Sequence, residues 1–177
     1  MLQAGAVTGI RKGNQNLNDM RCYIGIDPGS SSGCIAIIYL DINGNIKDTE
    51  TIEFAKNTTK EWFERLKEIE EMEHPSGCMA ILEKVHGMPD MGVKSVSVFM
   101  KNVGHIEMAL LALGIPFKEI TPQAWMKHYG MKKDKAESKP QWKQRLRERL
   151  QRIMPEFKVT NNTADAMLIA YYAAINF

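Results

Sequence analysis

Residues 23–39 constrain this chain more than any other stretch: Tyr23-Ile24-Gly25-Ile26-Asp27-Pro28-Gly29-Ser30-Ser31-Ser32-Gly33-Cys34-Ile35-Ala36-Ile37-Ile38-Tyr39. Two β-prone runs flank a turn of Pro, Gly and Ser, so the segment reads as strand, tight turn, strand. The two-residue period of a strand places Tyr23, Gly25 and Asp27 on one face and Cys22, Ile24 and Ile26 on the other. Asp27 therefore stands at the end of a buried strand, where the chain turns. An Asp before Pro-Gly ordinarily closes its own turn by accepting from nearby backbone. Otherwise a carboxylate in such a place needs a cation, a donor or water, because burying it unpaired is costly.

The rest of the chain supplies two more acids in similar settings. Asp41-Ile42-Asn43-Gly44-Asn45 is a hairpin turn with Asn-Gly at its tip, and Ile46 to Phe54 reads as a third strand. Thr58 and Glu61 form a capping-box pattern that opens a helix, with Trp62, Phe63, Leu66 and Ile69 at helical spacing. Cys78 to Leu82 is a short continuous apolar run, expected for a central strand covered on both faces, and it ends in Glu83. A loop from Lys84 to Gly92 leads into a long helix, Lys94 to Leu113, that is apolar on more than one side. Such a helix is either doubly covered or partly an interface. Phe117 to Ile120 reads as a fifth strand, and Thr121-Pro122 starts a short helix around Trp125. From Pro140 a helix carries the stripe Trp142, Leu146, Leu150 and Ile153. The last helix, Asn162 to Ile175, has Asp165 in its first turn. This order predicts a single α/β domain over residues 21–177, beginning with an antiparallel three-stranded meander.

Charge matters through its distribution. The net charge is only +2. From Asp48 to Glu73, however, nine acids face four bases, and from Lys127 to Arg152 ten bases face three acids. The basic segment is either a phosphate-binding surface or a solvated face. Cys22, Cys34 and Cys78 lie in apolar runs without metal-ligand spacing, which suggests small buried hydrophobes in a reducing compartment. No apolar run reaches the length of a membrane span. Residues 1–20, with Gly5, Gly9 and Gly13, read as a loose tail without a secretory apolar core, and Met20 is a conceivable native start. The expected location is cytoplasmic. His105 and His128 receive no role.

If the first and fourth strands are adjacent and parallel, Asp27 and Glu83 emerge at the same carboxyl edge of the sheet, where ligands collect in such folds. Three acids converging there with Asp165 would repel one another. Hard divalent cations would resolve the conflict, and two of them about 4 Å apart can activate a water and neutralise a leaving oxygen in phosphodiester hydrolysis.

The pattern resembles the ribonuclease H-like nucleases, and among them the RuvC-type Holliday-junction resolvases with their phage and plastid relatives. Ile24-Gly25-Ile26-Asp27-Pro28-Gly29 is similar to the first catalytic strand of that family, and Ala80-Ile81-Leu82-Glu83 to its second acidic strand. Ala164-Asp165-Ala166-Met167-Leu168-Ile169-Ala170 resembles its last-helix signature, and Thr121 to Lys127 the segment after strand five. The likeness spans roughly Arg21 to Tyr172. It implies a five-stranded mixed sheet, three antiparallel strands followed by two parallel ones, flanked by helices. It further implies a Mg²⁺-dependent endonuclease that resolves four-way junctions as a homodimer, with two ions per site and Mn²⁺ able to substitute.

In this likeness Asp27 bridges both metals, while Glu83 and Asp165 each ligate one. The family's fourth acid, or a His, falls three or four residues before Asp165. Asn162 and Asn161 stand there instead. Asn162 is expected in the fourth place, where an amide oxygen can ligate but carries no charge; helix N-capping is the alternative for both. The long helix matches the position of the family's dimer helix. Lys94, Lys132, Lys133, Lys135, Lys139, Lys143 and Arg147 are expected on DNA, and His86 or Met88 in the loop after Glu83 would probe the crossover.

Two other functions fit less of the chain. The Asn substitution is compatible with a weakened or inactive junction-binding protein of the same fold. The Asp-Pro-Gly-Ser turn also resembles the phosphate loop of sugar kinases and actin-like ATPases, but those duplicate the domain and need roughly twice the length. No nucleotide cofactor and no membrane partner are expected.

Overall fold

A computed structural model describes residues 20–72, 77–85 and 92–177. The strands are β1 (Arg21–Asp27), β2 (Cys34–Leu40), β3 (Ile46–Glu53), β4 (Cys78–Glu83) and β5 (Phe117–Ile120). The helices are α1 (Thr59–Glu71), α2 (Val93–Ala112), α3 (Pro122–His128), α4 (Lys139–Ile153) and α5 (Ala164–Asn176). The strands form one sheet in the order β3-β2-β1-β4-β5. β1 to β3 pair antiparallel, while β4 runs parallel to both β1 and β5, so the expected mixed sheet is present.

The alternation along β1 divides the core. Cys22, Ile24 and Ile26 face a layer made by Trp62, Leu66 and Ile69 of α1 and Ile106, Ala109 and Leu110 of α2. Tyr23 faces the other layer, with Trp125, Trp142, Leu146 and the small-residue surface of α5. The β1 strand is thus apolar on both faces because helices cover both. Cys22, Cys34 and Cys78 are buried thiols. No described helix is long and apolar enough to cross a membrane.

Boundaries differ from expectation where side chains compete with the backbone pattern. The last helix begins at Ala164, not Asn162. Thr160 and Thr163 hold the preceding turn: the Thr160 amide donates to Thr163 Oγ1 at 3.2 Å, and the Thr163 amide to Thr160 Oγ1 at 3.3 Å. The second strand, expected from Gly33 to Leu40, starts at Cys34 because Gly33 closes the turn, its amide donating to the Gly29 carbonyl at 2.7 Å. Met20, assigned from sequence to the preceding tail, is buried in the core. The remainder of that tail, residues 1–19, lies outside the described residues.

Helix α2 is covered on one side only. Val103, Ile106, Ala109 and Leu110 are buried against the sheet, whereas Val93, Val98, Met100, Met108 and Leu111 are exposed.

Candidate active site

Strand register brings the first two acids together. Ile26 pairs with Leu82 in the parallel ladder, so Asp27 and Glu83, each one residue further, leave the sheet at the same edge. Both also lie on one face, since Tyr23 and Ile81 share the layer under α5 and the strand period is two. Asp165, in the first turn of α5, completes the group; an acid is favoured there by the helix dipole. α5 lies close enough to β1 to deliver it because residue 25 has no side chain. A Cβ at Gly25 would fall 2.1 Å from the Ala170 amide nitrogen and 2.3 Å from the Ala166 carbonyl oxygen.

Each acid is held by a different device. Asp27 Oδ1 accepts from the Gly29 amide at 3.1 Å, so the turn-closing role of an Asp-Pro-Gly and a place in the site coexist. Asn102 of α2 donates to the Pro28 carbonyl at 2.9 Å and ties that turn to the opposite layer. Glu83 Oε1 accepts from the indole of Trp125 at 2.8 Å. Asp165 Oδ2 receives the ammonium of Lys143 at 2.5 Å. Its other oxygen, Oδ1, is buried without a hydrogen-bond partner.

The acids share one electrostatic environment. Burial, then the charge of Asp165, pushes Asp27 up to about 6. Burial, then the charge of Asp27, pushes Glu83 up to about 8, against the indole hydrogen bond that favours its charged form. Burial alone would lower Lys143, but the Asp165 charge and hydrogen bond, with Asp27 and Glu83 behind them, hold it above its ordinary value. Near neutral pH, Glu83 is therefore largely protonated.

This has a consequence for stability. Folded Asp27 and Glu83 bind protons more tightly than in the unfolded chain, so the folded form carries the extra protons and stability falls with rising pH. The window runs from 3.8 to about 6 for Asp27 and from 4.5 to about 8 for Glu83. In EDTA, the thermal midpoint is expected to fall across it. Glu83→Gln should remove the upper part of that slope and gain on the order of 5 °C over the parent at about pH 8, with much less gain near about pH 5. Melting curves of both proteins across this range check the expectation; parallel curves would contradict it.

The donors suit a hard divalent cation: three carboxylates, one with an orphaned buried oxygen. Yet among the described residues no three carboxylate, imidazole or thiol groups are already gathered at metal-binding distance. The Lys143 ammonium occupies one oxygen of the group instead.

The remaining predicted residues separate. Asn161 and Asn162 are exposed, and neither caps α5: Thr163 is the N-cap. Asn162 Nδ2 donates instead to Glu53 Oε2 at 3.4 Å. No local pattern in the sequence singles out Glu53. It lies across the sheet from Asp27, through Cys34 of β2, and also pairs with Lys56 at 2.6 Å. The sequence places Trp125 in a short helix and in the Thr121 to Lys127 segment without giving it a partner, although a buried indole N–H needs an acceptor and so asks which acid is near. Lys94, Lys132, Lys133, Lys135, Lys139 and Arg147 are exposed. Lys132, Lys133 and Lys135 line an open cleft of about 480 Å³ with Asp134 and Arg145. Lys143, expected on DNA, is half-buried in the acid group. His86 and Met88 lie outside the described residues.

No protein-family model matches this chain, and neither does any curated protein. Among solved structures it is similar to RuvC of Thermus thermophilus, with 18% identity over 84% of this chain and 90% of that one and a TM-score of 0.51. It is also similar to Thermus thermophilus RuvC in complex with Holliday junction substrate, with 17% identity, 88% and 96% coverage and a TM-score of 0.54. The chain has the ribonuclease H-like fold. A weaker likeness, with a TM-score of 0.43 and 13% identity, covers 87% of this chain and 82% of the large terminase nuclease of the thermophilic phage G20c with bound magnesium. Within the ribonuclease H-like fold, the acids at the ends of β1 and β4 and the start of α5 take their places from the sheet order β1-β4 and the close packing of α5 on Gly25.

Proposed function

We propose that this protein is a divalent-metal-dependent endonuclease that resolves four-way DNA junctions as a homodimer. The observation that supports the reading is that Asp27 and Glu83 leave β1 and β4 at one edge of the sheet, both buried and both acted on by the charge of Asp165. The match to a junction-bound RuvC over 96% of that chain supports it. Asp27, Glu83 and Asp165 would hold two Mg²⁺ ions, with the Asn162 amide oxygen in the fourth place. Bound there, such ions supply an activated water and neutralise the leaving oxygen of a phosphodiester. The protein's own residues do the rest. The Gly29 amide and the Trp125 indole fix the orientation of Asp27 and Glu83. Exposed Lys132, Lys133, Lys135, Lys139 and Arg147 would hold phosphates and orient the duplex arms without reading sequence. The exposed apolar row of α2 would pair two copies, so that two sites face two strands.

The test is a synthetic four-way junction incubated with purified protein and Mg²⁺ or Mn²⁺. Paired nicks in strands of like polarity are expected, with linear duplex left intact. A second reading, a junction-binding protein that does not cut, is favoured by Asn162 in place of an acid. Binding without nicking, together with cutting by Asn162→Asp, would establish that second reading.

A further inference from the structure

We infer that Lys143 is a tethered counter-ion that competes with divalent cations for Asp165 and so sets the metal affinity of the site. The inference rests on the metal-binding reading of the acid group and assigns a role that no position in that group otherwise requires. Helix α4 carries five bases between residues 143 and 152, and four of them, Arg145, Arg147, Arg149 and Arg152, are exposed. Lys143 alone turns inward. Its side chain is 18% exposed against 15% for Asp165, and its ammonium lies 2.5 Å from Asp165 Oδ2. A lysine whose purpose is to hold a phosphate from solvent would stand out, as Lys132 and Lys139 do.

The inward turn has a physical cause. Asp27 and Glu83 leave the sheet at one edge, and Asp165 faces Lys143 with both side chains largely out of solvent, so negative charge there gathers with little water to screen it. One ammonium on a flexible four-carbon stem can offset part of that charge. It fits the metal-free protein. A divalent ion on the orphaned Oδ1 would lie beside the ammonium on Oδ2, and the two cations repel. Loading an ion therefore works against the ammonium already held at Oδ2. Lys143 is thus a positioning residue acting through Asp165, and metal uptake carries the cost of that repulsion.

Isothermal titration with Mn²⁺ alone, on the full chain, tests this. Lys143→Met should bind Mn²⁺ about tenfold more tightly than the parent, having lost the competing cation but kept the stem's volume. Lys143→Arg, which keeps the charge, should bind no more tightly than the parent. In EDTA the Met variant should melt below the parent, and saturating Mn²⁺ should close that gap. Should the Met variant not fold, Lys143→Gln carries the same expectation. Equal Mn²⁺ affinity in parent and neutral variant would overturn the inference and leave the metal reading intact. Mn²⁺ uptake by neither protein would overturn both.

Discussion

Gly25→Ala is expected to cost more than about 4 kcal/mol, enough to leave little folded protein at 37 °C. The added methyl would meet backbone, not the end of a flexible side chain: 2.1 Å to the Ala170 nitrogen, 2.3 Å to the Ala166 oxygen and 2.7 Å to the Ala170 Cα. To reach ordinary contact distance, α5 would have to retreat from β1 by more than an ångström along its length. Nearly all of its buried residues, Ala166 through Ala170 and Ala173, would be unseated together. Overpacking a well-packed core by one methyl typically costs about 1–3 kcal/mol even when side chains can adjust. Here the obstacle is a helix backbone, so the figure lies above that range. Gly104→Ala is the control. It sits in α2 with open space around its Cβ, and an alanine in a helix interior is favoured over glycine by about 0.5–1 kcal/mol. Denaturant melts of both variants decide the matter; a Gly25→Ala protein within about 1 kcal/mol of the parent would show that α5 does not depend on this close approach.

The same contact shows how far the sequence can be read. The alternation of Tyr23 to Asp27 fixes which side of β1 faces which layer, and the apolar run ending in Glu83 fixes a second acid at a strand end. Those two facts need only local periodicity, and the parallel register of β1 and β4 bears them out. That Gly25 faces a helix is less visible. Its only trace is the small residues Ala166, Ala170 and Ala173 at helical spacing in α5, a surface smooth enough for close approach. Lys143 is harder still, because in the linear chain it is one of ten bases in the run from Lys127 to Arg152. Its phase holds the clue: three and seven residues before the buried Leu146 and Leu150, it sits on the edge of the apolar stripe and not opposite it. Glu53 and Trp125 depend on contacts across 109 and 42 residues, which no local pattern encodes.

Asp27→Asn should reduce junction cleavage by at least about 10²–10³-fold, the loss typical when one preorganised charge is removed from a site that stabilises a developing oxyanion. The magnitude follows from position. Asp27 ends the central strand of the acid group, and it is coupled by charge to both Glu83 and Asp165, so neutralising it weakens whatever the other two hold together. Junction binding without metal should be unchanged or tighter, since a negative charge facing the phosphates is gone. The metal-free variant should also melt no lower than the parent, because the amide retains an oxygen for the Gly29 donor while the cost of a buried charge disappears. This combination separates a lost catalytic charge from a lost structural one. Asn162→Ala should cost far less, about tenfold to a hundredfold, as a neutral ligand or outer partner does. The ordering is the informative result. Cleavage assays alongside binding and melting would show it, and an Asp27→Asn protein that cuts at close to the parental rate would remove this carboxylate from the chemistry altogether. An Asn162→Ala loss as deep as that of Asp27→Asn would instead mean that the amide does the work of the missing acid.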